Sequence, residues 1–184
     1  MALTLDATVG GASSNSYSTQ ADATTYFEGR MDAAEWTAAT SGEKDQALVA
    51  ATYRLEQERY VGSVSSTTQR LQWPRIGAPD KNAPQGYAGD VWGLPYGGWV
   101  TSYYDSTTIP QTVKEACYEM ALALLKDETL LSDTGLEGFE NVQIGPMNVT
   151  PRVGYSGGNL PAQVIRCLRG LRSPIPGTTR IVRG

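Results

Sequence analysis

The sequence predicts a mainly α fold: a small helical bundle around one long central helix, with a short β-hairpin, a long aromatic loop and extended termini. Two observations predict it. The stretch 109–131, IPQTVKEACYEMALALLKDETLL, places Val113, Ala116, Cys117, Met120, Ala121 and Leu124 at i, i+3, i+4, i+7, i+8 and i+11, one face of a helix. Tyr118, Leu122 and Leu125 add a second apolar row, so the polar stripe reduces to Glu115, Glu119 and Lys126. A helix apolar over most of its circumference is surrounded by neighbours. The second observation is that two upstream stretches, 19–28 and 43–60, carry the same period behind capping residues, whereas period-two alternation is short and scattered.

In chain order, residues 1–16 read as a loose or strand-like arm, with GGASSNS at 10–16 of flexible, polar linker composition. Thr19 is an N-cap with Asp22 in the first turn, and Ala23, Tyr26 and Phe27 give that helix its apolar side. Asp32 repeats the N-cap pattern ahead of a short helix bearing Trp36. The helix 43–60 shows Leu48, Ala51, Thr52 and Leu55 as its stripe and turns Glu56, Glu58 and Arg59 to water. The compact motif QRLQWPR follows at 69–75. Pro74 removes Trp73 from the α region and suits it as a plug over the end of a helix pair. The other reading of Trp73, beside Arg70 and Arg75, is base stacking.

Residues 78–107 hold five glycines, three prolines and Tyr87, Trp92, Tyr96, Trp99, Tyr103 and Tyr104. A thirty-residue stretch without helical period inside a compact domain is functional or disordered as a rule. Its aromatic content fits a subunit or partner contact loop, or a hairpin folded back on its own body. The central helix then begins behind a capping box of Thr108 and Gln111 with Pro110 in its first turn; at 23 residues it would run roughly 34 Å. Its core positions, Val113, Met120 and Leu124, join Trp73 and Pro74 as the core motif. Residues 142–149 read as a short hairpin around Gly145-Pro146, and 160–171 as a short helix. The organisation is thus an arm (1–16), a helical domain (17–150) with the inserted loop 78–107, and a short helix with an extended basic tail (151–184).

Composition narrows the function classes. The 184 residues contain no histidine, which removes the commonest general base and metal ligand. Cys117 and Cys167 lack a CxxC neighbour, and Cys117 falls on the buried helix face. No GxxxxGK[ST] or GxGxxG is present. No catalytic set, metal or cofactor is therefore expected. No apolar run is long enough to cross a bilayer and the N-terminus lacks signal-peptide character, so a reducing cytoplasm is the expected compartment. The formal charge of −4 is unevenly spread. From Asn141 onward there are six arginines and no acid; the preceding residues keep all 19 acids against 9 of the 15 bases, a net of −10. Such a split marks a body with a basic tail that reaches for another surface. Arg172, Arg180, Ile181, Val182 and Arg183 are its docking candidates.

Several pieces occur in a recognisable order: NSYSTQADATTYF, WTAAT, DQALVAATYRLE, LQWPR, IPQTVKEACYEMALALL and NVQIGPMNV. Over about residues 15–150 the chain resembles the head–tail adaptor (head-completion, or connector) proteins of tailed bacteriophages, a group some of whose members go under a DnaT-like single-strand DNA-binding description. LQWPR followed by IPQTVKEA is the most specific part. The loop 78–107 is longer than the family pattern, and the basic tail has no counterpart in it. The resemblance implies a structural virion protein made in the host cytoplasm. About twelve copies would form a ring between the portal protein and the tail or nozzle proteins, continuing the channel for double-stranded DNA without sequence-specific binding or any membrane. The alternative is a single-stranded DNA-binding module, which requires a basic groove interleaved with aromatics.

Overall fold

The computed structural model describes residues 3–80, 86–88, 98–100, 102–127, 130, 139–143, 148–151 and 160–173. In chain order these form α1 (Gln20–Glu28), α2 (Ala34–Ala38), α3 (Ser41–Glu56), β1 (Ser63–Val64), β2 (Arg75–Ile76), β3 (Gly86–Ala88), β4 (Gly98–Val100), α4 (Gln111–Lys126), β5 (Phe139–Gln143), β6 (Asn148–Pro151) and α5 (Ala162–Cys167). The fold is mainly α. The strands pair only as two-stranded antiparallel ribbons, β1–β2, β3–β4 and β5–β6. The last is the expected hairpin, in the register Val142↔Val149 and Gln143↔Asn148.

The capping chemistry explains where the helices start. The Thr19 hydroxyl accepts from the Asp22 N–H at 3.2 Å, as the sequence predicts. Helix α3 starts earlier than expected because Thr40 and Glu43 close a full capping box: the Thr40 N–H and hydroxyl both donate to the Glu43 carboxylate, at 2.7 and 2.8 Å. Two expected caps are not formed. Asp32 pairs with Arg30 at 2.7 Å instead, and α2 begins behind Ala33 with no side-chain cap. The Thr108–Gln111 box is also absent, because Pro110 itself is the N-cap of α4 and Gln111 stands one residue after it, not three. Proline biases the preceding Ile109 away from the α region, so the helix cannot reach back to Thr108. Helix α4 therefore has 16 residues and ends at Asp127, in extended conformation.

Helix α4 is the axis of the core. Val113, Ala116, Cys117, Met120 and Leu124 are all buried, with Tyr118 and Leu122 beside them. Helices α3 and α4 run antiparallel: the Thr52 hydroxyl lies 3.4 Å from Cys117 Sγ, and Ala47 and Ala50 share a wall with Leu124 and Leu125. Phe27 packs against Trp36 with ring centres 5.0 Å apart, and Tyr26 against Tyr118 at 5.1 Å. Helix α5 supplies Val164 to the same core, and Leu168 and Leu171, just after the helix, join it. Burial pushes the Cys117 thiol up to about 11, so it behaves as a small apolar side chain.

The start of the chain departs from its composition. Ser14, Ser16 and Ser18 are buried, not linker-like. The Ser18 hydroxyl meets the Tyr118 hydroxyl at 2.6 Å, and the Ser16 hydroxyl donates to Ser18 O at 2.7 Å. Asp6 and Asn15 close the arm upon itself: Asn15 Oδ1 accepts from the Asp6 N–H at 2.7 Å, and the Asn15 N–H donates to Asp6 O at 2.9 Å. The Ser14 hydroxyl donates to Thr8 O, so all three of these serine hydroxyls are satisfied, which allows a serine-rich stretch to be core.

Candidate functional site

The QRLQWPR motif is an internal joint. Trp73 is 1% exposed and meets Tyr60 edge to face at 5.5 Å; Pro74 is buried beside it. The Arg75 guanidinium donates to four carbonyls, Tyr60 O at 3.3 Å, Val61 O at 2.9 Å, Gly62 O at 2.6 Å and Gln72 O at 3.2 Å. Gly62 takes φ +79°, and a Cβ there would overlap the Ile76 carbonyl, so this crossing requires glycine. The Glu56 carboxylate is also part of the joint. It accepts from the Gln72 N–H at 2.9 Å and from the Tyr17 hydroxyl, tying α3 to the arm and to the motif. Burial raises the Glu56 pKa, opposed by the Tyr17 and Gln72 donors and the charges of Arg75 and Arg70. Glu56 thus does not face water as its position on the helix pattern suggests.

With Trp73 and Arg75 enclosed, Arg70 is the one member of that aromatic–basic set left exposed. It shares a small cleft, about 250 Å³, with Asn15, Glu56 and Tyr53. Tyr53 is 67% exposed, and its ring is open to solvent.

The roots of the aromatic loop are fastened. The Asp80 N–H donates to Ser102 O at 2.8 Å, and the Tyr104 N–H to Ala78 O at 2.9 Å. Ala78 is fully buried and Tyr104 packs against the core, while Tyr103 is 59% exposed. Further out, Tyr87 and Trp99 stand opposite one another in the β3–β4 register. Trp92 and Tyr96 lie outside the described residues.

Arg172, expected in the docking tail, is held by its own chain. Its guanidinium pairs with Glu58 at 2.6 Å, and the neighbouring Ser173 N–H donates to Arg59 O at 2.8 Å. Leu171 is buried and its carbonyl accepts from the Val61 N–H at 2.9 Å. The anchored chain thus extends through Ser173. Arg180, Ile181, Val182 and Arg183 lie outside the described residues.

One concave surface was not foreseen. Helices α2, α3 and α4 leave an open groove of about 620 Å³ whose floor is Ala38, Ala39, Ala47, Ala50, Leu124 and Leu125. Glu35, Glu43 and Gln46 line its rim. The signal in the sequence is the run of small residues on facing helices, which leaves space where larger side chains would meet. Among the described residues no cluster of His, Cys, Asp or Glu could hold a metal ion, and no helix is long and apolar enough to cross a membrane.

Residues 1–86 match the model of a family described as "Putative DnaT-like ssDNA binding protein". The matched segment contains the arm, α1–α3 and the QRLQWPR joint. No curated protein and no solved structure matches the chain.

Proposed function

We propose that this chain is a non-catalytic structural subunit of the head–tail adaptor type. Copies of it would form a ring, of about twelve by family resemblance, between a portal protein and tail proteins, made in the host cytoplasm and carried in the virion. The observation that carries this reading is the packing of Trp73 and Arg75. The chain's compact aromatic–basic pair serves the fold, with its face on Tyr60 and its charge on backbone carbonyls, and leaves no stacking platform at that motif. The resemblance in motif order from NSYSTQ to NVQIGPMNV supports the adaptor type. The acidic body supports a channel wall, since phosphate affinity comes from Lys and Arg neutralisation.

The family match over residues 1–86 favours a second reading, a single-stranded DNA-binding module. Within that segment Tyr53 and Arg70 around the small cleft are the pair able to stack a base and meet a phosphate. Titrating the full chain with a fluorescent oligo-dT separates the two. The adaptor reading expects no binding tighter than the nonspecific range, about 10⁻⁴ to 10⁻⁶ M at physiological salt, and no effect of Tyr53→Ala. Submicromolar binding that falls steeply with salt and is lost in Tyr53→Ala establishes the second reading instead.

A further inference from the structure

We propose that the groove between α2, α3 and α4 receives the C-terminal segment Arg180-Ile181-Val182-Arg183 of a neighbouring copy of this chain. The inference rests on the ring reading above and names the contact that would join its copies.

Chemical complementarity is the first argument. The groove floor is shallow and made of alanine methyls and leucine ends, which leaves room for branched apolar side chains. Glu35 and Glu43 on its rim are exposed. Lys126 lies 3.6 Å from Glu35 and offsets part of that charge; the Glu43 carboxylate caps α3 and keeps its negative charge while doing so. The C-terminal segment offers the reverse pattern, two apolar residues between two arginines, in a stretch of 44 residues without an acid. Ile181 and Val182 match the floor, and Arg180 and Arg183 match the rim carboxylates.

The second argument is placement. Ser173 and Arg172 fix the root of the tail at Arg59 and Glu58, just past the C-terminal end of α3. The groove lies along the first ten residues of the same helix, at Glu43, Ala47 and Ala50. Donor and acceptor thus sit toward opposite ends of one rigid element, about 20 Å apart by helical rise. Different patches that meet between copies make a heterologous contact, the type that closes into rings. Eleven residues, 174–184, extend beyond the root. At about 3.3 Å each, their extended reach is roughly 36 Å, longer than that separation.

The test uses a fluorescent peptide of residues 174–184 and the full-length chain, with anisotropy read at low and high salt. Saturable binding is expected, weakened roughly ten-fold by Glu35→Gln with Glu43→Gln and equally by Arg180→Gln with Arg183→Gln in the peptide. Gln at position 43 retains a capping-box side chain, so α3 should persist, and circular dichroism checks this. Filling the floor with Ala50→Trp is the second variant and should abolish binding. Absence of saturable binding, or binding indifferent to all three changes, overturns the proposal. So does a full-length chain that binds no peptide and stays monomeric while the form truncated after Ser173 binds it, because the tail then occupies its own groove. If the peptide binds as expected while the chain never joins a portal, the groove contact stands and only the adaptor reading fails.

Discussion

The Glu119 carboxylate, in the middle of α4, accepts from the Tyr26 hydroxyl at 2.6 Å and pairs with the Arg30 guanidinium. It is 8% exposed, although its i, i+4 spacing from Glu115 reads as a solvated stripe. Arg30 also holds Asp32 at 2.7 Å, so one cation fixes the turn after α1 onto the central helix. Glu119→Ala leaves the Tyr26 hydroxyl and part of the Arg30 charge without their acceptor. A loss of about 2 kcal/mol is expected, against less than 0.5 for a typical exposed site. Urea unfolding of the variant checks this; a midpoint equal to wild type contradicts it.

Met120, the next residue and about 100° round the helix, is fully buried. Met120→Asp places a carboxylate in the buried apolar core, at a cost of several kcal/mol in a total of about 5–15. The variant should be insoluble or lack a cooperative melt. A soluble protein with a wild-type melting curve would show that this face of α4 is not core.

These two helix positions show what local pattern conveys and what it omits. The apolar face of α4, the Thr19 cap and the β5–β6 hairpin are legible because each depends on residues within one or two turns of each other. Glu119 is not, since Arg30 lies 89 positions away and nothing local marks a carboxylate as paired. The serines of the arm are illegible for the same reason: the partner of Ser18 is Tyr118, 100 positions on. Trp73 was legible as a plug because the proline after it limits its conformation. The groove was not, because a cavity is a property of facing helices and not of either one.

Glu56 should govern a distinct pH response. Its folded pKa is raised from the ordinary 4.5 by burial, so the folded state holds its proton more tightly than the unfolded state does. The stability contributed by the neutral form is full below 4.5 and is lost as pH rises from there through the raised folded pKa. Asp22, lowered chiefly by its hydrogen bond with Thr19, acts in the opposite sense below 3.8. Relative to wild type, Glu56→Gln should therefore gain melting temperature as pH rises through the window above 4.5. A constant difference from pH 4 to 7 contradicts the assignment.

The loop between the fastened roots should be separable from the body. Asp80 with Ser102, and Ala78 with Tyr104, close its base by backbone hydrogen bonds. Replacing 85–101 by a short Gly-Ser bridge should leave the melting temperature within a few degrees, since surface loops add little to a core. Assembly with neighbours should be lost. If the excised chain fails to fold, the loop belongs to the core.

The tail should part cleanly from the body after Ser173. Truncation there retains the Arg172–Glu58 pair and the Leu171 packing. The shortened chain is expected to melt as wild type does, by calorimetry. A cut after Arg166 removes Leu168 and Leu171 from the core and should unfold it. A large loss of melting temperature from the first cut would place part of 174–184 within the folded body.

The most direct test of the adaptor account is native mass spectrometry of the purified full-length chain mixed with a portal ring and an oligo-dT strand. The account predicts a closed multimer of this chain bound to the portal and free of DNA. A monomer carrying the oligonucleotide, with the portal left bare, would contradict it and establish the DNA-binding reading.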